Sequence, residues 1–294
     1  MAAALAVVAA FLWAVYYAFF ISVRSSVSPV GIIAYPFLIG GLAFLLAETG
    51  AGRGRVAFGL FLSPAAWGRA GAFLGVQVCV VLVTFYSSPV DSALLSLVGD
   101  VALTPLYVML LHGEGRRRLR SLAFLAGIVL SAAGATLTIL DSGNLAPLTG
   151  IGILAAPFLP VFISVFFVES ARAARQVPVG SVMAQAAVGA GLLILPATWL
   201  LGPATDGLGI AGLGAVALLV GCGLTSFWIA PALYFDSVRR AGIFLPSLLM
   251  AGIPVFTLGV TAVLLGHVPG WVGLAGIPVA VVGAVLAIRG SGPA

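Results

Sequence analysis

One carboxylate lies in the middle of a long apolar stretch of the sequence. Asp100 stands ten residues into the run 90–111, and no arginine lies at a comparable depth in any apolar run. If this run crosses a membrane, the carboxylate costs about 2.5–3.5 kcal/mol on insertion scales, and such residues usually face a cavity. Asp100 could bind an amine or carry a proton, or it could be a structural acid that joins helices. We expect the functional role.

Gln77 and an aromatic stripe are the best companions for Asp100. Gln77 lies at mid-depth in the preceding run, and antiparallel neighbours would bring the two residues to a similar height. The aromatic residues of the first run are spaced i, i+3, i+4 and i+7 on one helix face: Trp13, Tyr16, Tyr17 and Phe20. Such a stripe is often core packing, and a tyrosine near a span end is often an interfacial anchor. We predict that Trp13 and Tyr17 line a cavity with Gln77 and Asp100.

The second half of the chain offers candidates that depend on depth alone. These residues are Phe158, Gln185, Ser226 and Trp228. A serine in a helix can also simply bond to its own backbone. Pro157 and Pro160 flank Phe158, and a proline removes a helical hydrogen bond. We therefore expect a broken, cavity-lining segment around Phe158.

Composition places these residues in a polytopic helical membrane protein. The 294 residues are 62% hydrophobic and only 7% charged, whereas a globular chain is about one quarter charged. Both cysteines, Cys79 and Cys222, lie in apolar runs and are expected to be buried thiols. No metal-binding spacing, catalytic motif or ATP-binding loop is present, and no cofactor is predicted. Nothing resembles a nucleic-acid footprint.

Ten apolar runs are long enough to cross a bilayer as helices. We place them at 2–21, 28–48, 68–87, 90–111, 121–140, 148–168, 179–201, 209–235, 242–265 and 271–289. The first run lacks preceding basic residues and is too long for a signal peptide, so we interpret it as a membrane span. The runs do not alternate polar with apolar residues, which argues against a β-barrel.

The arginines predict the orientation. If the N-terminus is cytoplasmic, the positively charged residues on that side are Arg53, Arg55, Arg69, Arg116, Arg117, Arg118, Arg120, Arg172, Arg175, Arg239, Arg240 and Arg289. Only Arg24 falls on the other side, which is a strong positive-inside pattern. Both termini are therefore expected in the cytoplasm, and the dense arginine cluster at 116–120 anchors a cytoplasmic turn. A role in binding phosphate or lipid headgroups is an alternative for this cluster.

The chain also repeats itself. The segment 105–140 resembles 256–288, with Gly127 and Gly134 matching Gly276 and Gly283. Residues 1–141 and 142–294 each contain five runs, and an odd number makes the second half enter the membrane with inverted orientation. The predicted fold is an all-α bundle of ten transmembrane helices, built as two inverted five-helix repeats.

These features together resemble the drug/metabolite transporter superfamily, in its EamA-like ten-helix branch. The resemblance depends on "FLWAVYYAF" at 11–19, "GE" at 113–114, the paired glycines and "IPVF" at 253–256. Three departures are His267 in place of a glutamate, Val101 in place of a proline, and 35–37 where many members carry an arginine. The resemblance implies a prokaryotic inner-membrane transporter that exports metabolites such as amino acids by alternating access, without ATP hydrolysis.

Several functional alternatives remain open at the level of sequence. With no arginine at mid-depth, the cavity suits neutral, zwitterionic or cationic solutes better than anionic ones. The first alternative is a drug or cation extruder driven by proton exchange at Asp100. An integral-membrane lipid enzyme would need a cluster of catalytic groups near one membrane face, and the sequence offers none. A membrane scaffold is the last alternative, and the oligomeric state is open.

Overall fold

The computed structural model describes residues 1–23, 27–86, 89–111, 121–141, 151–197, 212–242, 244–266 and 270–290. All regular secondary structure in these ranges is helical. Four helices are long and apolar enough to cross a membrane by length and composition: Pro29–Gly50, Pro64–Tyr86, Val179–Ala197 and Leu213–Ala241. The chain is a multi-pass membrane protein. Arg24, the arginine cluster at 116–120, the "GE" at 113–114 and His267 lie outside the described residues.

Fifteen α-helices are described. Their bounds are α1 Ala2–Val23, α2 Pro29–Gly50, α3 Gly54–Leu60, α4 Pro64–Tyr86, α5 Pro89–Val98, α6 Thr104–Leu111, α7 Leu122–Asp141, α8 Ile151–Ala155, α9 Phe158–Ala173, α10 Val179–Ile194, α11 Gly212–Leu224, α12 Ala230–Ala241, α13 Phe244–Leu249, α14 Ile253–Leu265 and α15 Trp271–Gly290. Each of the ten predicted runs overlaps one helix or a series of them. The number of membrane crossings and the inverted repeat stay predictions.

Prolines and glycines set several helix boundaries. Helices α2, α4 and α5 begin at Pro29, Pro64 and Pro89, where the missing N–H removes no helical bond. At the start of α2, the Ser28 hydroxyl accepts a hydrogen bond from the backbone N–H of Gly31 at 3.1 Å. Helix α14 is followed by Gly266 with a φ of 63°, a left-handed conformation that a side chain disfavours.

The tightest helix pair is α7 against α15. A Cβ added at Gly127 would lie 2.6 Å from the carbonyl oxygen of Gly283, and one at Gly134 would lie 2.5 Å from that of Gly276. Only glycine leaves room for backbones this close, as is common where membrane helices pack. These are the four glycines that the sequence comparison matched between the halves. They form one antiparallel seam, which we call the glycine seam.

Gly71 and Gly75 on α4 are spaced as a GxxxG pair, which can let helices approach closely, but the two glycines differ in their surroundings. A Cβ at Gly75 would lie 2.7 Å from the ring of Phe162 on α9, whereas nothing lies within 4 Å of one at Gly71. The absence of a side chain at Gly75 therefore makes room for the Phe162 ring. Gly71 makes no comparable contact with the described residues.

Four spans are interrupted among the described residues, and two of the interruptions contact each other. A π-helical segment, Gly99–Leu103, joins α5 to α6, and a second one, Thr225–Ile229, joins α11 to α12. A 3₁₀ turn at Met250–Gly252 separates α13 from α14 and contacts the first π segment. The fourth interruption is the turn between α8 and α9, so the predicted break at Pro157 is confirmed. Broken helices and π segments in membrane proteins often surround binding sites.

Ion pairs lie near the ends of α2 and α12. Arg53 donates two hydrogen bonds of 2.8 Å to the Glu48 carboxylate, which also accepts one of 2.9 Å from Ser181 on α10. The hydrogen bonds from Arg53 to Glu48 raise the pKa of this exposed guanidinium. Asp236 accepts hydrogen bonds from Arg239 and Arg240. Two acids near helix ends therefore pair with neighbouring arginines.

Candidate functional site

A small cavity lies at the centre of the bundle, between α1, α4, α5, α9, α12 and α14. Its free volume is about 50 Å³, enough for a few water molecules but not for a drug-sized ligand. The polar side chains that line it are Tyr16, Tyr17, Gln77, Ser96 and Asp100, and the aromatic wall consists of Trp13, Phe73, Phe166 and Phe167. Four of the eight predicted site residues therefore meet in one place.

Asp100 is the unusual member of this lining. It sits in the first π segment, its side chain is only 3% exposed, and it borders the cavity. Its Oδ1 atom has no hydrogen-bond partner among the described residues. A buried polar atom without a partner is unfavourable unless a ligand, an ion, a proton or water satisfies it. Asp100 therefore brings a carboxylate oxygen without a protein partner to the edge of the central cavity.

The other polar groups of the cavity are paired across helices. The hydroxyls of Tyr17 and Ser96 lie 2.8 Å apart, and Ser96 also donates to the carbonyl of Ser92 at 2.8 Å. Tyr16 donates a hydrogen bond to the side-chain oxygen of Gln77. The predicted proximity of Gln77 to Asp100 is met, since both residues line the cavity. Helix α1 thereby holds both α4 and α5 through its tyrosines.

Trp13 joins the cavity to the second half of the chain. Its indole N–H donates to the carbonyl oxygen of Ser226 at 3.0 Å. That carbonyl belongs to the second π segment. The Trp13 ring packs against Phe167 and Tyr234, with centroids 5.8 and 5.6 Å away. Trp13 was predicted to line a cavity, and it lies in the lining of the central one. Its indole N–H is bonded to the carbonyl of Ser226.

The first π segment is bonded to α9 in a similar way. The hydroxyl of Ser164 donates to the carbonyl of Gly99 at 3.2 Å and accepts a bond from Thr104 at 3.3 Å. Each π segment therefore offers a carbonyl to a side chain of another helix. These bonds compensate part of the irregular backbone pairing.

The four second-half candidates do not line the central cavity, although all are described. Phe158 is 56% exposed, because the turn before α9 directs it to the outside of the bundle. Gln185 is fully buried on α10 near Ala70 of α4. The Ser226 hydroxyl donates to the backbone carbonyl oxygen of Leu12 at 3.3 Å and lies 3.5 Å from the hydroxyl of Thr225 in its own segment. Trp228 is half-buried against the hydrophobic core. Depth alone could not distinguish these orientations.

Sequence reasoning also missed residues that the cavity uses. Ser96, Phe166 and Phe167 line it. A signal for Ser96 was present, since Ser92, Ser96 and Asp100 follow one another at four-residue spacing on one face of the span. The two phenylalanines gave no such signal, because apolar aromatic residues are common throughout the chain. Within the described residues, no three acidic, histidine or cysteine side chains cluster as metal ligands would.

A second and larger cavity opens near the ends of α9 and α12. Its volume is about 460 Å³, and its charged lining residues are Arg172, Arg175 and Arg239. At the level of sequence, these arginines were explained by topology alone and were not expected in a cavity. We call this space the arginine-lined cavity.

Comparison with known proteins agrees with this architecture. Residues 150–289 match the EamA-like transporter family. No curated protein matches the sequence. Nine chains of solved structures match this chain. One of them, described as the crystal structure of a protein, has a TM-score of 0.72 and 25% sequence identity, and the match covers 97% of this chain and 96% of the other. Residues 150–289 thus form an EamA-like transporter family domain, in agreement with the family resemblance seen in the sequence.

Proposed function

We propose that the protein carries small organic solutes across the membrane by alternating access to the central cavity. In this proposal Asp100 binds a substrate amine or carries a coupling proton. The observation that supports it most is that Asp100 borders the cavity while its buried Oδ1 lacks a hydrogen-bond partner among the described residues. The family assignment supplies the transport class.

The proposal includes ten membrane crossings in two inverted repeats, with both termini on the cytoplasmic side of a prokaryotic inner membrane. The arginine split supports the orientation. The glycine seam supports the repeat. A two-fold axis that relates the matched glycines would superpose Gly127 on Gly276 and Gly134 on Gly283. It would therefore exchange the two observed contacts, Gly127 with Gly283 and Gly134 with Gly276. Reporter fusions after Ser142 and Gly290 should report the outside and the cytoplasm, respectively.

The cavity chemistry narrows the solute class. Among the described residues, its lining contains one carboxylate, three hydroxyls and one amide, and no basic side chain. A neutral, zwitterionic or cationic solute fits this lining better than an anion, because a buried charge needs a partner of opposite sign. Export of metabolites such as amino acids is the direction and class that the family resemblance favours.

Alternating access needs helices that can bend near the cavity. The first π segment, which carries Asp100, contacts the 3₁₀ turn at Met250–Gly252. These two interruptions have fewer regular backbone bonds than straight helices, so small changes there can reorient the flanking helices. We propose that solute or proton binding at Asp100 shifts this contact and thereby the exposed side of the cavity.

Flux in proteoliposomes tests the proposal. A panel of amines and amino acids is first screened for thermal stabilisation of the purified protein, and the best ligand is then used for uptake. Asp100→Asn should fold normally and lower uptake at least about tenfold, or remove its pH dependence, because the amide keeps the size but not the charge. Asp236→Asn, which changes an acid outside the central cavity, is the matched control.

Two outcomes would contradict the assignment. If Asp100→Asn transports like the wild type at every pH, Asp100 is a structural acid. If no solute of the panel moves in wild-type vesicles, transport of this solute class is wrong. A proton-coupled cation extruder, the second candidate, is distinguished by uptake that requires an imposed pH gradient. Asp100 is the observation that favours it.

A further inference from the structure

A row of polar side chains precedes Asp100 along its own span. Ser92, Ser96 and Asp100 are spaced by four residues, and all three are buried. Side chains four residues apart lie on one face of a helix, so each turn from the start of α5 to the first π segment carries one polar group. Polar and ionisable groups inside a membrane are costly, and they often mark a path for ions or protons.

Hydroxyl groups of two neighbouring helices are bonded to this row. The hydroxyls of Thr84 on α4 and Ser92 lie 2.8 Å apart, and Ser92 also donates to the carbonyl of Val80 at 3.2 Å. One turn further along α5, the hydroxyls of Ser96 and Tyr17 on α1 lie 2.8 Å apart. Two bonded pairs of hydroxyls therefore follow each other between α1, α4 and α5. We call these four side chains (Thr84, Ser92, Ser96 and Tyr17) the hydroxyl column.

The hydroxyl column leads from one end of the bundle to the central cavity. Thr84 lies two residues before Tyr86, the last residue of α4, whose side chain is exposed. Ser92 is the fourth residue of α5. The second pair, Ser96 with Tyr17, lines the cavity together with Asp100. In the proposed topology, the connection between α4 and α5 lies on the outer side of the membrane, so the column begins there.

Water can complete the column at two places. Ser92 and Ser96 are one helical turn apart, with about 5–6 Å between Cβ atoms, a gap that one water molecule can bridge. The second place is the cavity between the Ser96–Tyr17 pair and Asp100. Its volume of about 50 Å³ holds water but no drug-sized ligand. A proton is therefore a species that can reach Asp100 in this conformation, whereas a larger solute cannot.

Asp100 is the acid that can take up a proton in the cavity. The titratable groups that share the cavity lining with it, among the described residues, are Tyr16 and Tyr17. Helices α7, α9 and α13 pack on the π segment of Asp100. The charged or titratable groups that these helices and its own span carry are Asp141 at the end of α7, Glu169 and Arg172 near the end of α9, and Asp91 and Tyr107. None of these five belongs to the cavity lining, so a proton can neutralise the carboxylate there without a charged side chain.

We infer that the hydroxyl column is a proton route from the outer end of the bundle to Asp100. A hydroxyl both accepts and donates, so a proton that reaches its oxygen is balanced by transfer of its own hydrogen to the next oxygen. The net change is one proton gained by the Asp100 carboxylate. This inference rests on the proposed function and deepens it. Of the two roles proposed for Asp100, it selects the coupling proton, and proton entry from the outside is the direction that drives export.

Infrared spectroscopy of the purified full-length protein in phosphatidylcholine bilayers tests the route. A pH titration locates the C=O band of protonated Asp100, and Asp100→Asn identifies the band by its loss. Exchange of H₂O for D₂O shifts this band, and the rate of the shift measures proton exchange at Asp100. Ser96→Ala should slow the exchange at least about tenfold, because the column loses its link to the cavity. Ser96→Thr keeps a hydroxyl and should restore the rate.

Thr84→Val and Thr104→Val distinguish a proton route from a structural role. Both changes keep the branched shape and remove one buried contact between hydroxyls, that of Thr84 with Ser92 at 2.8 Å or that of Thr104 with Ser164 at 3.3 Å. Only Thr84 belongs to the hydroxyl column, so only Thr84→Val should slow the exchange. If the hydroxyls merely tie helices together, their removal loosens the bundle, and exchange should become faster or stay unchanged.

Three results would overturn the inference. The first is a wild-type protein in which no band of Asp100 titrates. The second is exchange in Ser96→Ala and Thr84→Val that is as fast as in the wild type or faster. The third is a slowing in Thr104→Val as large as that in Thr84→Val.

Failure of the route and failure of the transport proposal give different results, because exchange at Asp100 requires no solute flux. Solute flux in wild-type vesicles together with unchanged exchange in Ser96→Ala rejects the route and leaves transport intact. Slow exchange in Ser96→Ala, with no flux of any amine or amino acid of the panel in wild-type vesicles, supports the route and rejects transport of this solute class.

Discussion

The glycine seam and the central cavity solve opposite packing problems within one bundle. In the seam, α7 and α15 approach until an added Cβ would overlap the partner's backbone, for example Gly127 against Ala287. In the cavity, large aromatic and polar side chains keep the helices apart, and Asp100 has an oxygen without a partner among the described residues. At the seam glycines the closest contacts are made by backbone atoms. The cavity, in contrast, is lined by large side chains.

The difference indicates which parts of the bundle are rigid and which can move. Backbones in direct contact have no rotamers to exchange, so the seam resists shear and any added volume. Hydroxyl pairs such as Tyr17 with Ser96 and rings such as Phe167 can find new partners when helices shift. We therefore expect stability to depend on the seam and transport on the cavity.

Gly127→Ala should give the largest loss of stability. The new methyl group would overlap the backbone of Ala287, and the two helices would have to separate. Overpacking of this kind costs about 1–3 kcal/mol, and more where backbone must move. Thermal unfolding of the purified protein in detergent, followed by size-exclusion chromatography, measures the effect.

Gly71→Ala is the matched control for that variant. It makes the same change within a helix, but nothing lies within 4 Å of the added Cβ. Its stability should be unchanged or slightly higher, since alanine favours helix. If both variants unfold at the same temperature, the seam is no special constraint and the comparison fails.

Asp100→Leu should change stability in the opposite direction. Removing a buried carboxylate with an unsatisfied oxygen relieves a desolvation cost, and leucine adds apolar contact. We expect a gain of about 1–2 kcal/mol in the free energy of unfolding, with loss of transport. A lower unfolding temperature would mean that Asp100 holds the bundle together.

Tyr16→Phe should change the free energy of unfolding less than Gly127→Ala or Asp100→Leu does. It removes the hydrogen bond to Gln77 and leaves the amide oxygen facing the cavity. The expected loss is about 0.5–1.5 kcal/mol, the usual value of one buried hydrogen bond. Tyr86→Phe, at an exposed helix end, should be neutral. Equal losses in the two variants would show that the Tyr16 hydroxyl contributes nothing specific.

Asp236→Asn should have the smallest effect. Its bonds to Arg239 and Arg240 lie at the surface, where an ion pair contributes about 0–1 kcal/mol and is screened by salt. The unfolding temperature should move little, and the difference from wild type should vanish at high salt. A salt-independent loss as large as that of Gly127→Ala would contradict this division of the molecule.

Much of the helical layout could be predicted from the sequence. Apolar length is a strong signal in a membrane, because every backbone polar group must be bonded internally. The break at Pro157 followed from the missing N–H of proline. The seam was half predicted. The glycines stood out as repeated, but their mutual contact depends on how two distant helices cross, and no local pattern encodes that crossing.

Only part of the polar lining of the site was predictable. Asp100, Gln77, Trp13 and Tyr17 carry chemistry that is expensive at depth, so their types identified them. Phe158 has no such cost, and its direction was set by the turn before α9. Gln185 is costly at depth as well, yet the structure buries it on α10 near α4. Polarity predicted that a residue avoids lipid, but it could not predict which neighbour the residue would face.

The π segment at Gly99–Leu103 changes the register of its span. Each α-helical residue turns by about 100°, so Ser96 and Thr104, eight residues apart, would differ by about 80° in an unbroken helix. One inserted residue makes the spacing equivalent to seven, and the difference shrinks to about 20°. Ser96 can then meet Tyr17 while Thr104 meets Ser164. A relative that lacks one residue here would keep its apolar pattern, yet every side chain on the following helix would face a new neighbour.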